Sequence, residues 1–328
     1  MIKKTIILFI LFLPITIFAQ KNITFLENVS YGKFFISETR SPLTKLEIGY
    51  LNKINSNYYN NEDVNRPFIE SHFGYDLNLF SVKQKNYKLA FSFPGGATTL
   101  TDMFEELTAP VINTDYWFGT QIKFISYPFK ANKFAKNISV NFQPIFHEST
   151  HIGDEFSIHG YNNIPDFHRI NISYEAWNLS VTLNDPDTLK GNILSVKTGI
   201  QNLWTINDGY YSTDSLEVKG ETIPKSSRTA EYYFLVNYQR TKGFMCSERW
   251  QNIISLETSN RVKFSYTEDI EETGAWNYNL YFGWMYKVSN KPFRNIGFFI
   301  RHYQGINPHG QFRDTDNFKF TALSITLL

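Results

Sequence analysis

The stretch AWNYNLYFGWMYKV, residues 275–288, decides the fold class. Its large apolar side chains recur at every second position, with mostly small or polar residues between them. Successive side chains of a β-strand point to opposite faces, so this period of two predicts a strand with one apolar face. The residues of that face are Trp276, Tyr278, Leu280, Phe282, Trp284, Tyr286 and Val288.

The same alternation recurs along most of the chain, for example in NYKLAFSF (86–93) and TDYWFGTQIKF (114–124). Several predicted strands exceed the five or six residues usual in soluble sheets and reach the about 9–11 that a tilted membrane strand needs. About thirteen candidate strands lie between Leu43 and Leu328. Bacterial barrels normally have an even number of strands, so we predict twelve. The excess candidate is expected at residues 43–54 or 202–229.

The composition and the first residues of the chain indicate the cellular compartment of the protein. Aromatic residues make up 17% of the sequence although the mean hydropathy is negative, as expected for a barrel with an apolar outside and a polar lumen. The net charge of +1 gives no electrostatic reason to expect nucleic acid as a partner. The single cysteine, Cys246, excludes an intrachain disulfide. The opening MIKKTIILFILFLPITIFAQK predicts a secretory signal peptide cleaved near Ala19.

We therefore predict an all-β protein: a signal peptide at residues 1–19 and one antiparallel transmembrane β-barrel at residues 20–328. The predicted location is the outer membrane, reached through the periplasm, and the predicted role is that of a channel or a structural envelope component. Expected partners are outer-membrane lipid and, during insertion, the barrel-assembly machinery. No cofactor and no metal are predicted, and the oligomeric state and enzymatic activity are left open.

The stretch FHESTHIGDEF, residues 146–156, contains H-E-x-x-H, which on a helix is the zinc site of a metallopeptidase. The alternation before it predicts a strand instead. Residues four apart on a strand are separated by roughly 13 Å, so His147 and His151 could not ligate one zinc ion. Glu148 would also point to the face opposite both histidines, and the zinc-peptidase interpretation is rejected.

The alternation nevertheless predicts a polar cluster. In residues 138–151 the even positions are mainly apolar and the odd positions mainly polar, so the odd face is expected to line the lumen. A β-bulge after Pro144 would reverse this assignment, since one extra residue changes the face of everything that follows. The predicted cluster consists of His147, Ser149, His151, Asn171, Ser173 and Glu175, with Asp154 and Glu155 just above it.

The His-x-Ser pattern of this cluster resembles the site of outer-membrane phospholipase A, and outer-membrane lipid A deacylases also carry His-x-Ser. The resemblance implies Ser149 as nucleophile, His147 as general base and Asn171 as the group that orients the base. The phospholipase pattern continues with Asn-Gly, whereas Thr150 and His151 follow here. A lipid esterase is therefore the alternative function. A third alternative is a soluble metal or carbohydrate binder using His147, His151, Asp154, Glu155 and His159.

Four motifs together resemble a family of Gram-negative envelope proteins of unknown function, over roughly residues 110–328. They are NTDYWFG (113–119), HESTHIGDEF (147–156), RINISYE (169–175) and YQGINPHGQF (303–312). Thr150 and Asn307 depart from the family pattern, which has serine at both positions. The resemblance implies location and fold but no reaction. In the last motif, Pro308 and Gly310 are expected to shape a turn with His309 at its tip, in preference to a binding role.

Overall fold

The structure is a computed structural model that describes residues 23–25, 35–53, 65–103, 109–127, 135–153, 172–185, 192–206, 229–241, 247, 249–263, 274–288, 295–310 and 318–327. Within this part of the chain, no helix has the length and apolar character needed to cross a membrane. The strands of the described residues are Ile23–Phe25 (β1), Thr44–Lys53 (β2), Arg66–Lys83 (β3), Tyr87–Asp102 (β4), Val111–Ser126 (β5), Ile138–Ile152 (β6), Ile172–Leu183 (β7), Ile193–Ile206 (β8), Ala230–Thr241 (β9), Trp250–Val262 (β10), Gly274–Lys287 (β11), Asn295–Gly305 (β12) and Phe318–Leu327 (β13).

Strands β2–β13 form a closed antiparallel barrel. Each pairs with the next along the chain, and β13 pairs with β2 from Leu327 opposite Thr44 to Lys319 opposite Lys53. Among the strands that the structure describes, the short strand β1 pairs with one end of β3 alone. Closure pairs the backbone groups of every barrel strand on both sides, which is what a β-structure needs in order to span a lipid bilayer. The predicted all-β barrel of twelve strands is confirmed.

Residues 43–54 were one of two segments suspected of containing no barrel strand, and that suspicion was wrong. They contain β2, which closes the barrel against β13, the strand at the end of the chain. In the other doubtful segment, 202–229, strand β8 continues to Ile206 and residues 207–228 lie outside the described part.

Alternation along the strands separates a lipid-facing outside from a lumen. In β11, Trp276 and Tyr278 are exposed on the outside while Asn277 and Asn279 are buried inside, as the sequence predicts. Every barrel strand contributes at least one exposed large apolar side chain, which makes a continuous apolar outer surface. One such residue from each strand, in order, is Ile48, Phe73, Tyr87, Tyr116, Phe142, Val181, Leu194, Phe234, Ile254, Tyr278, Ile300 and Leu323.

The connections between strands orient the barrel. The two longest connections, residues 153–171 and 207–229, leave the same end, whereas the shortest, residues 84–86, lies at the other. Outer-membrane barrels have longer extracellular loops and shorter periplasmic turns. The end at which β6 finishes is therefore the extracellular end, and both β2 and β13 have their terminal residues Thr44 and Leu327 directed toward the periplasmic end.

The lumen is partly occupied by the chain itself in the part that the structure describes. Residues 35–43, the plug segment, lie inside the barrel, and Ile36 packs with Tyr281 of β11 and Phe299 of β12. Near the extracellular end, an apolar cluster fills one side of the lumen. Its members are Leu51, Phe68, Leu100, Ile112, Tyr303, Phe318, Phe320 and Ala322.

Candidate functional site

A β-bulge in β6 decides which way the predicted cluster faces. Opposite β5, Ile145 pairs with Thr120 and Phe142 with Ile122, so β6 uses one residue more than β5 over this stretch. The pairing with β7 shifts at the same place. Pro144 lies within the shift, where its missing N–H removes no regular ladder hydrogen bond.

The bulge places the polar side chains of the motif on the outside of the barrel. Phe146, Glu148 and Thr150 are buried in the lumen, so His147 and Ser149 between them point outward. The expectation that the odd positions line the lumen holds before the bulge and is wrong after it. The alternative assignment, a reversal after Pro144, is confirmed.

Glu148 shows why H-E-x-x-H is no zinc site here. The motif lies on a strand, and Glu148 points into the lumen, away from the two histidines. There Arg40 of the plug segment donates to both carboxylate oxygens of Glu148, Nε at 2.7 Å and Nη2 at 2.5 Å. The hydroxyl of Tyr174 donates to the same carboxylate at 2.8 Å. Burial alone would lower the pKa of Arg40, but Glu148 raises it well above its usual value, so the guanidinium stays charged.

Two polar pairs make up the outer-face cluster, defined as His147, Ser149, His151, Ser173 and Glu175. The Ser149 hydroxyl lies 3.2 Å from Nε2 of His151. Nδ1 of His147 lies 3.3 Å from Oε1 of Glu175, the residue directly opposite on β7. Ser173 lies directly opposite Ser149. These side chains are half-buried, so they are reachable from the lipid side.

Aromatic rings of β5 border the cluster. The ring of Phe118 lies 4.9 Å from the His147 ring, and the ring of Tyr116 lies 5.9 Å from the His151 ring. Both aromatic side chains are exposed on the outside. The cluster is therefore bordered by apolar side chains and lies close to the extracellular end of β6.

The structure pairs the predicted catalytic residues differently from the phospholipase pattern. Ser149, the predicted nucleophile, bonds His151, whereas His147, the predicted base, bonds Glu175. Asn171, the predicted orienting group, lies outside the described residues, as do Asp154, Glu155 and His159. Carboxylate orientation of His147 by Glu175 was not predicted, although the hairpin between β6 and β7 implied their proximity.

Sequence reasoning missed a second cluster, an ionic network in the lumen. Arg301 donates to Glu47, to Glu70 at 2.9 Å and to the side-chain oxygen of Asn279 at 3.0 Å. Nε2 of His72 lies 2.6 Å from Glu70. The sequence offered only a weak signal for this network. Charged residues occur at inward positions of β2, β3 and β12, but their partners depend on closure of the barrel.

The same network contains a group that could ligate a metal. Glu47, Glu70 and His72 offer ligand atoms within 4.8 Å of one another. Arg301 already donates to both carboxylates, and its fixed positive charge opposes a second cation there. The donor set fits an ion-pair network better than a metal site.

His309 is not at an exposed tip. The turn formed by residues 306–310 folds into the lumen, and His309 is 1% exposed. Its Nδ1 lies 3.3 Å from Asp115 and its Nε2 3.5 Å from Glu70. Burial alone would lower the pKa of His309, but the Asp115 and Glu70 carboxylates raise it to about 9.

Comparison with known proteins finds one family model that matches part of the chain. The family model described as "Protein of unknown function (DUF1207)" matches residues 49–194. That range contains the motifs at 113–119, 147–156 and 169–175 but not the one at 303–312, and it includes N-terminal strands where only a general likeness was expected. The resemblance to a family of unknown function is supported over this range. No curated protein matches the sequence.

Three solved structures are similar over most of their length. The outer-membrane phospholipase dimer with bound calcium from Salmonella typhi is 10% identical, with a TM-score of 0.46, covering 87% of this chain and 90% of that one. Outer-membrane phospholipase A from Escherichia coli is 11% identical, with a TM-score of 0.44, covering 88% and 97%. The translocator domain of the autotransporter NalP from Neisseria meningitidis is 8% identical, with a TM-score of 0.40, covering 87% and 85%. At these identities the likeness concerns the fold alone.

A closed antiparallel barrel with an apolar outer surface and polar inner positions is the architecture of an outer-membrane β-barrel. The chain is an outer-membrane β-barrel protein. The outer-face cluster therefore lies on the side of the barrel wall that faces away from the lumen.

Proposed function

We propose that this outer-membrane barrel is a lipid acyl hydrolase whose site is the outer-face cluster. The observation that carries the proposal is the 3.2 Å contact between the Ser149 hydroxyl and Nε2 of His151, on the lipid-facing side of the barrel. A nucleophile within hydrogen-bond reach of a base is the arrangement that nucleophilic acyl transfer needs. An ester carbonyl of a lipid in the outer leaflet is the group that such a pair would meet.

The chemistry assigns a step to each residue. His151 Nε2 takes the proton of the Ser149 hydroxyl as its oxygen attacks the ester carbonyl carbon. The bond to the leaving alcohol breaks, His151 returns the proton to that alcohol, and the acyl group remains on Ser149. Water, deprotonated by the same histidine, then releases the fatty acid and restores the serine hydroxyl.

His147 and Glu175 form a supporting pair beside the nucleophile. If Nδ1 of His147 donates to Glu175, its Nε2 carries a lone pair and can itself act as a base. Two residues along a strand are separated by about 6.6 Å, so His147 is a near neighbour of Ser149 on the same face. The resemblance to phospholipase A favours His147 as the base, whereas the observed contact favours His151.

The test is fatty-acid release from mixed micelles of phospholipid or lipid A by the refolded protein. Ser149→Ala should abolish release, and loss of the general base in His151→Ala should lower the rate about 100- to 10,000-fold. Ser71→Ala is the matched control, because Ser71 is a half-buried residue at an outward position of β3. A larger loss in His147→Ala than in His151→Ala would move the base to His147. Absence of release by correctly folded wild-type protein would refute the hydrolase.

A structural barrel without catalysis is the second candidate, favoured by the plug segment. Buried residues of the plug segment and the ion pair of Arg40 with Glu148 occupy part of the lumen. Such an interior is compatible with a purely structural role in the envelope. In that case the cluster would only contact lipid head groups, and Ser149→Ala would leave every property of the protein unchanged.

We infer further that the chain is a member of the matched family over its whole barrel. Residues 1–19 are then a cleaved signal peptide, and the barrel-assembly machinery inserts residues 20–328. N-terminal sequencing of the protein purified from outer membranes tests the cleavage. A mature protein beginning at residue 1 would contradict it.

A further inference from the structure

Two cavities lie beside the plug segment, between it and the wall formed by β4–β10. One has a volume of about 70 Å³ and the other about 60 Å³. They are adjacent, because the same side chains line both. The shared lining residues are Glu38, Arg40, Asn178, Gln201 and Tyr233.

The cavities follow each other along the barrel axis. The first reaches Ser139 and Asp185, near the periplasmic ends of β6 and β7. The second reaches Glu148, Glu231 and Arg261, near the extracellular ends of β6, β9 and β10. The cavities therefore follow one another along the axis, with side chains of the plug segment in the lining of both.

Two side chains of the plug segment, Glu38 and Arg40, line both cavities. The plug backbone is held on the far side, where Asn279 donates to the carbonyl of Ser37 at 2.7 Å and Lys45 donates to the carbonyl of Ile36 at 2.6 Å. From there Glu38 and Arg40 reach across the lumen. Glu38 pairs with Lys197 of β8, and Arg40 pairs with Glu148 of β6.

The lining carries charged groups of both signs. The carboxylates are Glu38, Glu148, Asp185, Glu231 and Glu257, and the cations are Arg40, Lys123, Lys197 and Arg261. Lys123 pairs with Asp185 at 2.8 Å, Lys197 with Glu38 and Arg40 with Glu148, so most of these charges are paired. Five amide side chains also line the first cavity, and Oδ1 of Asn141 is buried with no hydrogen-bond partner. Amides offer both donors and acceptors, which suits hydroxyl groups and gives no preference for ions of either sign. The amides are Gln121, Asn141, Gln143, Asn178 and Gln201.

We propose that the lumen is a gated passage for small uncharged polyhydroxy solutes, closed by the side chains of Glu38 and Arg40 from the plug segment. This inference concerns the inside of the barrel and stands independently of hydrolysis on the outside. The gate is a pair of side chains on a retained plug, so opening requires no loss of the barrel wall.

The test is swelling of proteoliposomes in isosmotic L-arabinose. The gate variant combines Glu38→Ser and Arg40→Ser with Lys197→Gln and Glu148→Gln, so that no buried charge is left without its partner. Arabinose entry should be severalfold faster through this variant than through the wild type. In a potassium chloride gradient the variant should show little selectivity between cations and anions.

A control separates gating from general loosening. Arg66→Gln with Asp102→Asn removes an ion pair that lines neither cavity, and this variant should swell as slowly as the wild type. Heat-modifiable migration in gels checks that each variant is folded. A folded gate variant that swells no faster than the wild type would overturn the proposal, as would strong ion selectivity with arabinose excluded.

Discussion

Replacing His309 should remove a pH-dependent part of the stability of this protein. The side chain is 1% exposed and lies between two carboxylates, 3.3 Å from Asp115 and 3.5 Å from Glu70. The backbone N–H of Gly310 also donates to Asp115 at 3.1 Å. The protonated imidazole therefore ties the turn at residues 306–310 to β3 and β5, across the top of the lumen.

The magnitude follows from the pKa of His309, which these contacts raise from 6.5 to about 9. A raised pKa means that the folded state binds the proton more tightly than the unfolded chain. The stabilisation is fully present below a pH of about 6.5 and is lost as the pH rises through about 9. At about 1.4 kcal/mol per tenfold change in proton affinity, the full effect is on the order of 3 kcal/mol.

The assay is urea unfolding in lipid vesicles, followed by tryptophan fluorescence between about pH 6 and pH 10, for wild type and His309→Gln. The wild-type free energy of unfolding should fall over this range by up to about 3 kcal/mol more than that of the variant. His302→Gln is the control, because His302 lies on the same chain segment but at an exposed position of β12. Equal pH dependence of wild type and His309→Gln would refute the reasoning.

Three further predictions follow from packing in the wall and plug. Arg40→Ala should destabilise the barrel by about 3–5 kcal/mol, because Glu148 is left as a buried unpaired charge, and adding Glu148→Gln should restore most of the loss in urea unfolding. Deleting Pro144 should remove the bulge but keep every downstream side chain on its present face. The deletion variant should therefore refold with the wild-type yield, and in the Ser149→Cys background residue 149 should still be labelled from the lipid side. A deletion variant that does not fold would contradict the bulge. Gly49→Ala should hinder closure, since its Cβ would lie 2.2 Å from the carbonyl oxygen of Thr321, and slower folding measured by heat-modifiable migration is expected.

The sequence alone predicts most of the wall and part of the site. Alternation in β11 and β5 identifies the outward residues correctly, because a strand places its side chains by a local rule. The same rule brings His147, Ser149 and Glu175 near one another, since β6 and β7 are neighbours in the chain. The first assignment of the face was wrong beyond Pro144. The proline marks where a bulge could form, but whether it forms is decided by the pairing of β6 with both adjacent strands.

What the sequence by itself determined is the set of properties that depend on neighbours along the chain: strand, period, barrel class and the rejection of a zinc peptidase. What only the tertiary structure decided depends on residues far apart in the chain. Arg40 meets Glu148, and His309 meets Asp115, only after the twelve strands have closed and the plug segment lies inside. An unpaired charge buried inside the closed barrel would cost several kcal/mol, so these buried charges are paired. Which residue pairs with which depends on position in three dimensions and not on spacing in the sequence.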